Sequence, residues 1–193
     1  LDNVFDVRAS VARIRLEGTY MEENELFDLK RSLETIIAIV NFLSAGDELP
    51  NGDIQHTYPA LYALADGVAT FPILVQRISQ IIDKFGKMRD SASPDLLQIR
   101  RELARVESSI SRTLTHILHS AQSEVIPVAP GLKRKISGIV HDESATGKTV
   151  FIEPAEVVEA NNKIRELENE ERKEIIRILR EFAKQVRPHI REI

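Results

Sequence analysis

The 193 residues are enough for one large domain or two small ones, and a hydrophobic fraction of 42% is sufficient for a core. No apolar run reaches the roughly 18–20 residues that a membrane span needs, and the absence of Cys excludes disulfides and thiolate metal sites. The net charge of −4 excludes a general attraction to nucleic acid, so that any contact with a polyanion depends on a local basic patch.

The start of the chain carries no targeting signal. Leu1 stands where a complete chain would have Met, which predicts a segment of a larger protein. No basic stretch followed by an apolar one precedes the first helical pattern, so export is not indicated. Together with the lack of Cys, this predicts a cytoplasmic location without contact with a membrane.

The N-terminal part alternates between helical patterns and turn signals. Asp6 is a candidate cap for a short helix, and apolar residues at helical spacing predict a long amphipathic helix over residues 22–44. Residues 46–57 are polar and rich in turn formers, which predicts a loop. Further helical stretches begin at Pro59 and Pro72.

Two much longer helices are predicted in the second half of the chain. Ser93 and Pro94 form a helix start, and the apolar spacing that follows predicts about 28 helical residues, or about 43 Å. A second helix of about 50 Å runs from about Pro154 to about Arg187. The two apolar seams resemble those of a coiled coil and comprise Leu96, Ile99, Leu103, Val106, Ile110, Leu114, Ile117 and Ala121, then Val157, Ala160, Ile164, Leu167, Ile175, Ile178, Phe182 and Val186.

The β-like sequence lies between these two helices. Lys135–His141 and Thr149–Ile152 are rich in β-forming residues, and the loop 142–148 between them contains a glycine. Val125–Val128 predicts a third strand at an edge, because Pro127 cannot donate a hydrogen bond to a ladder.

The predicted fold class is therefore mostly α, a helical core with two long antiparallel helices that carry a small β-hairpin at their tip. The predicted boundaries are a core over residues 1–93, an ascending helix over 94–124, the small β unit over 125–153 and a descending helix over 154–193.

No motif in the chain predicts catalysis. Residues 147–149 (GKT) echo the end of a phosphate-binding loop, but Asp142 stands where that loop needs a glycine and would repel a phosphate. His116 and His119 lie one helical turn apart without an HExxH frame, which favours a solvated pair over a metal site. We therefore predict no catalytic residue, no metal and no cofactor within these residues.

A cationic cluster stands out beside the predicted hairpin. Lys133, Arg134 and Lys135 form a tight run, Lys148 lies on the other side of the hairpin, and residues 125–148 carry a net charge of +2. One interpretation is a grip on a nucleic-acid backbone that depends on salt and not on sequence. The other is a solvated strand edge that Lys protects against association.

The same region carries a resemblance to a known family. VIPVAPGLKRKISGIVHDESATGKTVFIEPAEVVEANNKIRELE, residues 125–168, resembles the segment of the bacterial MutS-two endonucleases just before their ATPase domain. DVRASVARIRLEGTYMEENELFDLKRSLETI and ASPDLLQIRRELARVESSISRTL, further upstream, also resemble that family, so that the resemblance covers nearly the whole chain.

The resemblance implies a fold and a function. In MutS-type proteins a helical core extends long lever helices with a clamp at their far end, and the chain continues into an ABC-type ATPase domain that also dimerises. It implies a parent protein that is an ATP-dependent homodimer using ATP and Mg²⁺, binds branched DNA to restrain recombination, carries a nuclease domain and also acts in ribosome rescue, with ribosomal RNA as a further partner. No ATP-binding or nuclease motif lies in these residues, and the clamp contacts it implies are Lys133, Arg134, Lys135 and Lys148.

One departure from the family and one alternative remain. The family has a loop and a basic RDGR-like segment before the VIPV strand, whereas here Glu124 is followed directly by Val125, which predicts that residues are missing at this join. The alternative to a lever and clamp for nucleic acid is a coiled-coil scaffold that docks a protein partner, such as a ribosomal component.

Overall fold

The computed structural model describes residues 4–121, 127–128, 138–143 and 150–193, and within them the chain is mostly α, as predicted, with two small sheets. The α-helices are α1 (Arg8–Arg13), α2 (Glu23–Ser44), α3 (Pro59–Ala65), α4 (Pro72–Ile81), α5 (Pro94–Ala121) and α6 (Ala155–Val186), with short 3-10 turns at Asp90–Ala92 and Arg187–His189. The strands are β1 (Gly46–Glu48), β2 (Ile54–His56), β3 (Pro127–Val128), β4 (Gly138–Glu143) and β5 (Val150–Pro154).

The chain divides into two compact units. The first comprises Leu1–Ser93 and Ile175–Ile193, and the second comprises Pro94–Glu174, so that α6 begins in the second unit and ends in the first. Among the described helices, none combines the length and the apolar character that crossing a bilayer requires. The four-part division drawn from the sequence stays a prediction.

The first unit has a core made mainly of aliphatic side chains, as a sequence poor in aromatic residues requires. Its only aromatic member among the described residues is Phe182, at 1% exposure. Full burial of a Val, Leu, Ile, Met or Phe side chain contributes about 1.5–3 kcal/mol to the stability of the fold. The buried apolar residues of this unit are Val11, Ile14, Met21, Leu26, Leu29, Leu33, Leu74, Ile78, Ile81, Ile82, Met88, Ile178, Leu179, Phe182, Ala183 and Val186.

The prediction of a loop over residues 46–57 was wrong, because β1 and β2 form an antiparallel hairpin there. Gly46 pairs with His56, and the turn is closed where the Gly52 N–H donates to the Leu49 carbonyl at 2.8 Å. Gly52 has φ +85°, which favours glycine in this turn. Three-residue strands of mostly exposed and mostly polar residues lack the alternation by which strands are recognised in a sequence.

A half-buried carboxylate joins α1 to the start of α2. Glu25 accepts hydrogen bonds from the Ser10 hydroxyl at 2.7 Å, from the backbone N–H of Glu22 at 2.8 Å and from the Arg13 guanidinium. Glu22 and Glu25 form a capping box, which satisfies N–H groups at the beginning of α2. Burial raises the pKa of Glu25, but the hydrogen bonds from Arg13, Ser10 and Glu22 outweigh it, and the pKa lies below its ordinary value of 4.5.

We predict that Glu25→Gln lowers the free energy of unfolding by about 1–3 kcal/mol at neutral pH, because hydrogen bonds to a charged group are removed. A carboxyl whose pKa is lowered by folding stabilises the protein above its unfolded pKa and loses this contribution as the pH falls through the folded value. The difference between wild type and variant, measured by urea unfolding, should therefore shrink as the pH falls below 4.5.

Glu17→Gln, a change of the same kind on the exposed turn after α1, is the control and should alter the free energy of unfolding by less than about 0.5 kcal/mol. A difference for Glu25→Gln that stays constant down to acidic pH would contradict the stabilising role of the ionised carboxylate.

Candidate nucleic-acid interface

The predicted β unit forms a three-stranded antiparallel sheet in the order β3-β5-β4, with β5 in the centre. Pro127 of β3 pairs with Phe151, and it lies on an edge strand as predicted. The hairpin of β4 and β5 is also confirmed, although both strands begin and end later than the sequence indicated. Its ladder shifts register between Val140 and Asp142, so that the strand is locally irregular there.

The four predicted contact residues lie outside the described residues, and so do residues 147–149 and the join between Glu124 and Val125. The structure fixes the points at which their segments attach. Val128 pairs with Val150 and Gly138 pairs with Pro154, so that the segment 129–137 is attached at opposite ends of β5. A shared surface stays a prediction for Lys133, Arg134, Lys135 and Lys148.

The edge strand β4 exposes consecutive apolar side chains. Ile139 is 51% exposed and Val140 is 41% exposed, whereas Ile152 of the central strand is 7% exposed. Because neighbouring residues of a strand point to opposite faces, β4 is accessible on both faces at this point. The strand that follows the Lys133–Lys135 run is therefore open to a partner.

Helices α5 and α6 match the two long helices of the prediction. They have 28 and 32 residues, which corresponds to about 42 and 48 Å. Leu96, Val157 and Leu167 of the predicted seams are buried. Among the described side chains of the two helices, Leu114 is a large hydrophobic residue that stays exposed, at 37%.

A charged pair links these helices within the second unit. Arg100 Nε donates to Glu171 Oε1 at 2.6 Å, and each side chain is about a quarter exposed. Two residues further along α5, a hydrogen bond from Arg105 lowers the pKa of Glu102, and the charge of Lys163 on α6 lowers it further. Successive positions along α5 thus meet earlier positions along α6, which is the antiparallel direction predicted.

His56 and His189 pack against aromatic rings, and His116 is exposed on α5. His56 stacks on Tyr62 with ring centroids 3.6 Å apart, and its Nδ1 lies 3.1 Å from the Ser44 carbonyl. His189 packs against Phe71 with centroids 5.1 Å apart. In the part of the chain that the structure describes, no group of three or more His, Cys, Asp or Glu side chains lies close enough to hold a metal ion.

A second surface, which sequence reasoning missed, lies at the end of α2, the β1–β2 hairpin and α3. We call it the α2–α3 surface. None of the residues of α3 is buried although six of the seven are aliphatic or Pro, and the rings of Phe42 and Tyr58 pack 5.7 Å apart beside it. Its exposed apolar members are Phe42 (62%), Ile54 (56%), Tyr58 (44%), Leu61 (48%), Leu64 (79%) and Val68 (46%).

The chain segment that forms the α2–α3 surface has charges of one sign. Between Arg31 and Arg77 the sequence contains no Lys or Arg but five Asp or Glu. This gap in a chain with 26 basic residues is visible in the sequence, and it is the signal that could have revealed the surface.

Comparisons with known proteins place the chain among MutS-type proteins, and more narrowly with MutS2. It is 36% identical to the Endonuclease MutS2 of Pelotomaculum thermopropionicum over 173 residues, covering 81% of the chain and 22% of that protein. It is 33% identical to the Endonuclease MutS2 of a Geobacillus species over 98% of the chain and 25% of that protein. The chain spans about a quarter of the length of these relatives and corresponds to a segment of MutS2-family proteins, which confirms the resemblance. No protein-family profile matches the chain.

One of these alignments is longer than the chain itself. The Endonuclease MutS2 of Streptococcus equi subsp. equi is 34% identical over 206 positions that cover all 193 residues of the chain, which leaves 13 positions where the relative alone has a residue. This relative therefore carries additional residues within the aligned region, and the join after Glu124 stays a prediction.

We predict that the charge reversals Arg100→Glu and Glu171→Arg each lower the free energy of unfolding by about 1–2 kcal/mol, because each places like charges together in a half-buried contact. The double variant, which restores opposite charges, should recover most of this loss in urea unfolding followed by circular dichroism.

The control is Arg105→Glu, which reverses a charge in an exposed pair within α5. It should change the free energy of unfolding by less than about 0.5 kcal/mol, because exposed ion pairs contribute little to stability. A double variant no more stable than the worse single variant would show that the two side chains do not meet.

Proposed function

We propose that this chain is the non-catalytic lever and clamp part of a MutS2-type protein, and that it binds the backbone of branched or duplex nucleic acid without reading its sequence. In this proposal residues 1–93 are the core, 94–124 the ascending lever, 125–153 the clamp and 154–193 the descending lever. The observation that carries the proposal is the three-stranded sheet, whose exposed edge strand β4 begins three residues after the Lys133–Lys135 run.

The proposed grip is electrostatic. Each phosphate neutralised by Lys or Arg releases counterions, and the logarithm of the affinity falls by about 0.9 per contact for each tenfold rise in salt. The basic cluster, Lys133, Arg134, Lys135 and Lys148, can neutralise about four phosphates, which gives weak binding at physiological salt. Two clamps in a homodimer would raise the affinity through avidity.

The wider functions belong to the parent protein. The relatives are named endonucleases, and the chain covers about a quarter of their length. We infer a homodimeric parent that binds and hydrolyses ATP with Mg²⁺, cleaves nucleic acid through residues outside this chain, and acts in recombination control or DNA repair in the cytoplasm. Ribosomal RNA is a further partner, since it presents the same phosphate backbone.

The test is a fluorescence-anisotropy titration of the chain with a four-way DNA junction, a plain duplex and a structured RNA at low and at physiological salt. We predict binding that weakens steeply with salt and falls at least tenfold in K133E/R134E/K135E, because three attractive interactions with phosphate become repulsive. The control R165E/R172E/K173E makes the same change of charge on exposed positions of α6.

An equal loss of binding in both triple variants would reduce the effect to net charge and contradict a clamp at Lys133–Lys135. Full binding by the clamp variant would exclude the basic cluster as the grip. A preference for the junction over the duplex at equal salt would support branched DNA as the target, and tighter binding of the RNA would favour a ribosomal partner.

The α2–α3 surface favours a second candidate, the docking of a protein partner. An exposed apolar surface of this extent is typical of an interaction site. Since its charged residues are all acidic, the partner with matching chemistry is a segment that combines apolar residues with Lys or Arg, such as a basic amphipathic helix. This candidate corresponds to the alternative of a scaffold that docks a protein partner, but its docking surface lies on the first unit and not on the two long helices.

The second candidate predicts that a synthetic amphipathic helix of Leu and Lys binds the chain and that F42K/L64K reduces this binding at least tenfold, because apolar packing is removed and repulsion is introduced. Calorimetric titration measures this, with Leu16→Lys as a control at an apolar residue that is 70% exposed elsewhere on the unit. Unchanged binding by F42K/L64K would contradict the docking role.

A further inference from the structure

The positive charges of the first unit are concentrated in two segments that are far apart in the sequence. Residues 8–20 and 175–193 together contain eight Lys or Arg against three Asp or Glu, whereas the rest of the chain has 18 against 27. In a chain with a net charge of −4, these two segments together carry a net charge of +5, and Arg8, Arg13 and Lys184 among them form ion pairs with carboxylates.

Arg187 holds these two segments together. Its Nε donates to the Ile14 carbonyl at 2.7 Å, and its Nη2 lies 3.4 Å from the Leu16 carbonyl and 3.5 Å from the Thr19 carbonyl. These acceptors carry no net charge, so the guanidinium charge is not neutralised. Its Nη1 donates to no group among the described residues and remains available to a ligand.

Beside Arg187 lies a groove of about 350 Å³, lined by Arg15, Arg187, Pro188, Ile190 and Arg191. We call it the arginine groove. Arg15 and Arg191 are both exposed, and no described carboxylate forms an ion pair with either of them or with Arg187. The neighbouring Glu192 lies 3.6 Å from His189, and no carboxylate lines the groove within the described part of the chain.

Three like charges brought together by folding repel one another, and an anion in the groove would relieve this repulsion. Arginine suits phosphate better than lysine does, because its planar fork donates two parallel hydrogen bonds to phosphate oxygens. Pro188 and Ile190 keep part of the wall apolar, which strengthens a charge-assisted hydrogen bond beside them.

We propose that Arg15, Arg187 and Arg191 form a second binding site, separate from the proposed clamp, for the phosphate groups of a polynucleotide backbone. Arg187 is fixed by the chain between α1 and α2 and supplies a preorganised charge. Arg15 and Arg191 supply the exposed contacts on either side. The two basic regions of the molecule then bind the same class of ligand at two places.

The experiment compares the full chain with R15Q/R191Q in anisotropy titrations of a DNA duplex over a series of salt concentrations. Arg187 is left intact because it holds residues 14–19 in place. We expect the affinity to fall on the order of tenfold or more, and the slope of log affinity against log salt to decrease by about two, one for each phosphate that is no longer neutralised. The control R77Q/K84Q removes two charges from α4 and the turn that follows it.

Equal losses of affinity in R15Q/R191Q and in R77Q/K84Q, or an unchanged salt slope in R15Q/R191Q, would overturn the proposal. The combination with K133E/R134E/K135E separates it from the proposed clamp. If the two sites are independent, the combined variant loses more affinity than either variant alone. A loss of affinity in the clamp variant but not in R15Q/R191Q would contradict the arginine groove and would leave the clamp proposal standing.

Competition distinguishes the sources of phosphate. At equal phosphate concentration, an unlabelled duplex should displace the labelled duplex far better than inorganic phosphate does, because a polynucleotide engages several arginines at once. Equal displacement by inorganic phosphate would show a site for small anions. Displacement by an acidic polypeptide at a lower concentration than by the unlabelled duplex would assign the groove to a protein partner; either result overturns the polynucleotide assignment.

Discussion

One uninterrupted helix, α6, supplies the core of both units. Its apolar residues keep the same helical spacing from Val157 to Val186, and no Gly or Pro breaks the 32 residues. Val157 and Leu167 are buried within the second unit, while Ile178, Phe182 and Val186 are buried within the first. The same helix leads from the end of β5 to Arg187, and therefore connects the small sheet in sequence with the arginine groove.

Binding to a polyanion imposes a second constraint on an acidic chain, namely that its positive charges must be segregated. The charges of the long helices are interleaved in sign, and exposed pairs such as Lys163 with Glu166 contribute little. Residues 125–148 carry a net charge of +2, and the segments 8–20 and 175–193, which meet at Arg187, carry a net charge of +5. The α2–α3 surface has the opposite character, apolar and acidic, so that the surfaces proposed for nucleic acid and for a protein partner differ in chemistry.

The sequence predicted the elements whose signals are local. Pro94 and the regular apolar spacing located α5, and the change of period after residue 125 located the small sheet with its edge strand. The β1–β2 hairpin was missed because its strands are three residues long and mostly exposed. The arginine groove could not be predicted, since Arg15 and Arg187 are 172 positions apart and only the tertiary contact between Arg187 and the Ile14 carbonyl brings them together. The α2–α3 surface could be predicted in part. The sequence shows that this segment lacks Lys and Arg, but only the structure shows that its apolar side chains are exposed.

Hydrogen–deuterium exchange of the chain, free and bound to a four-way DNA junction at low salt, tests the central claim most directly. Exchange reports on the opening and covering of backbone amides segment by segment. The account predicts slower exchange on binding in peptides that cover residues 127–154 and in those that contain Arg15 and Arg191, with residues 39–68 unchanged. Slower exchange confined to residues 39–68, or no change near the small sheet, would contradict it.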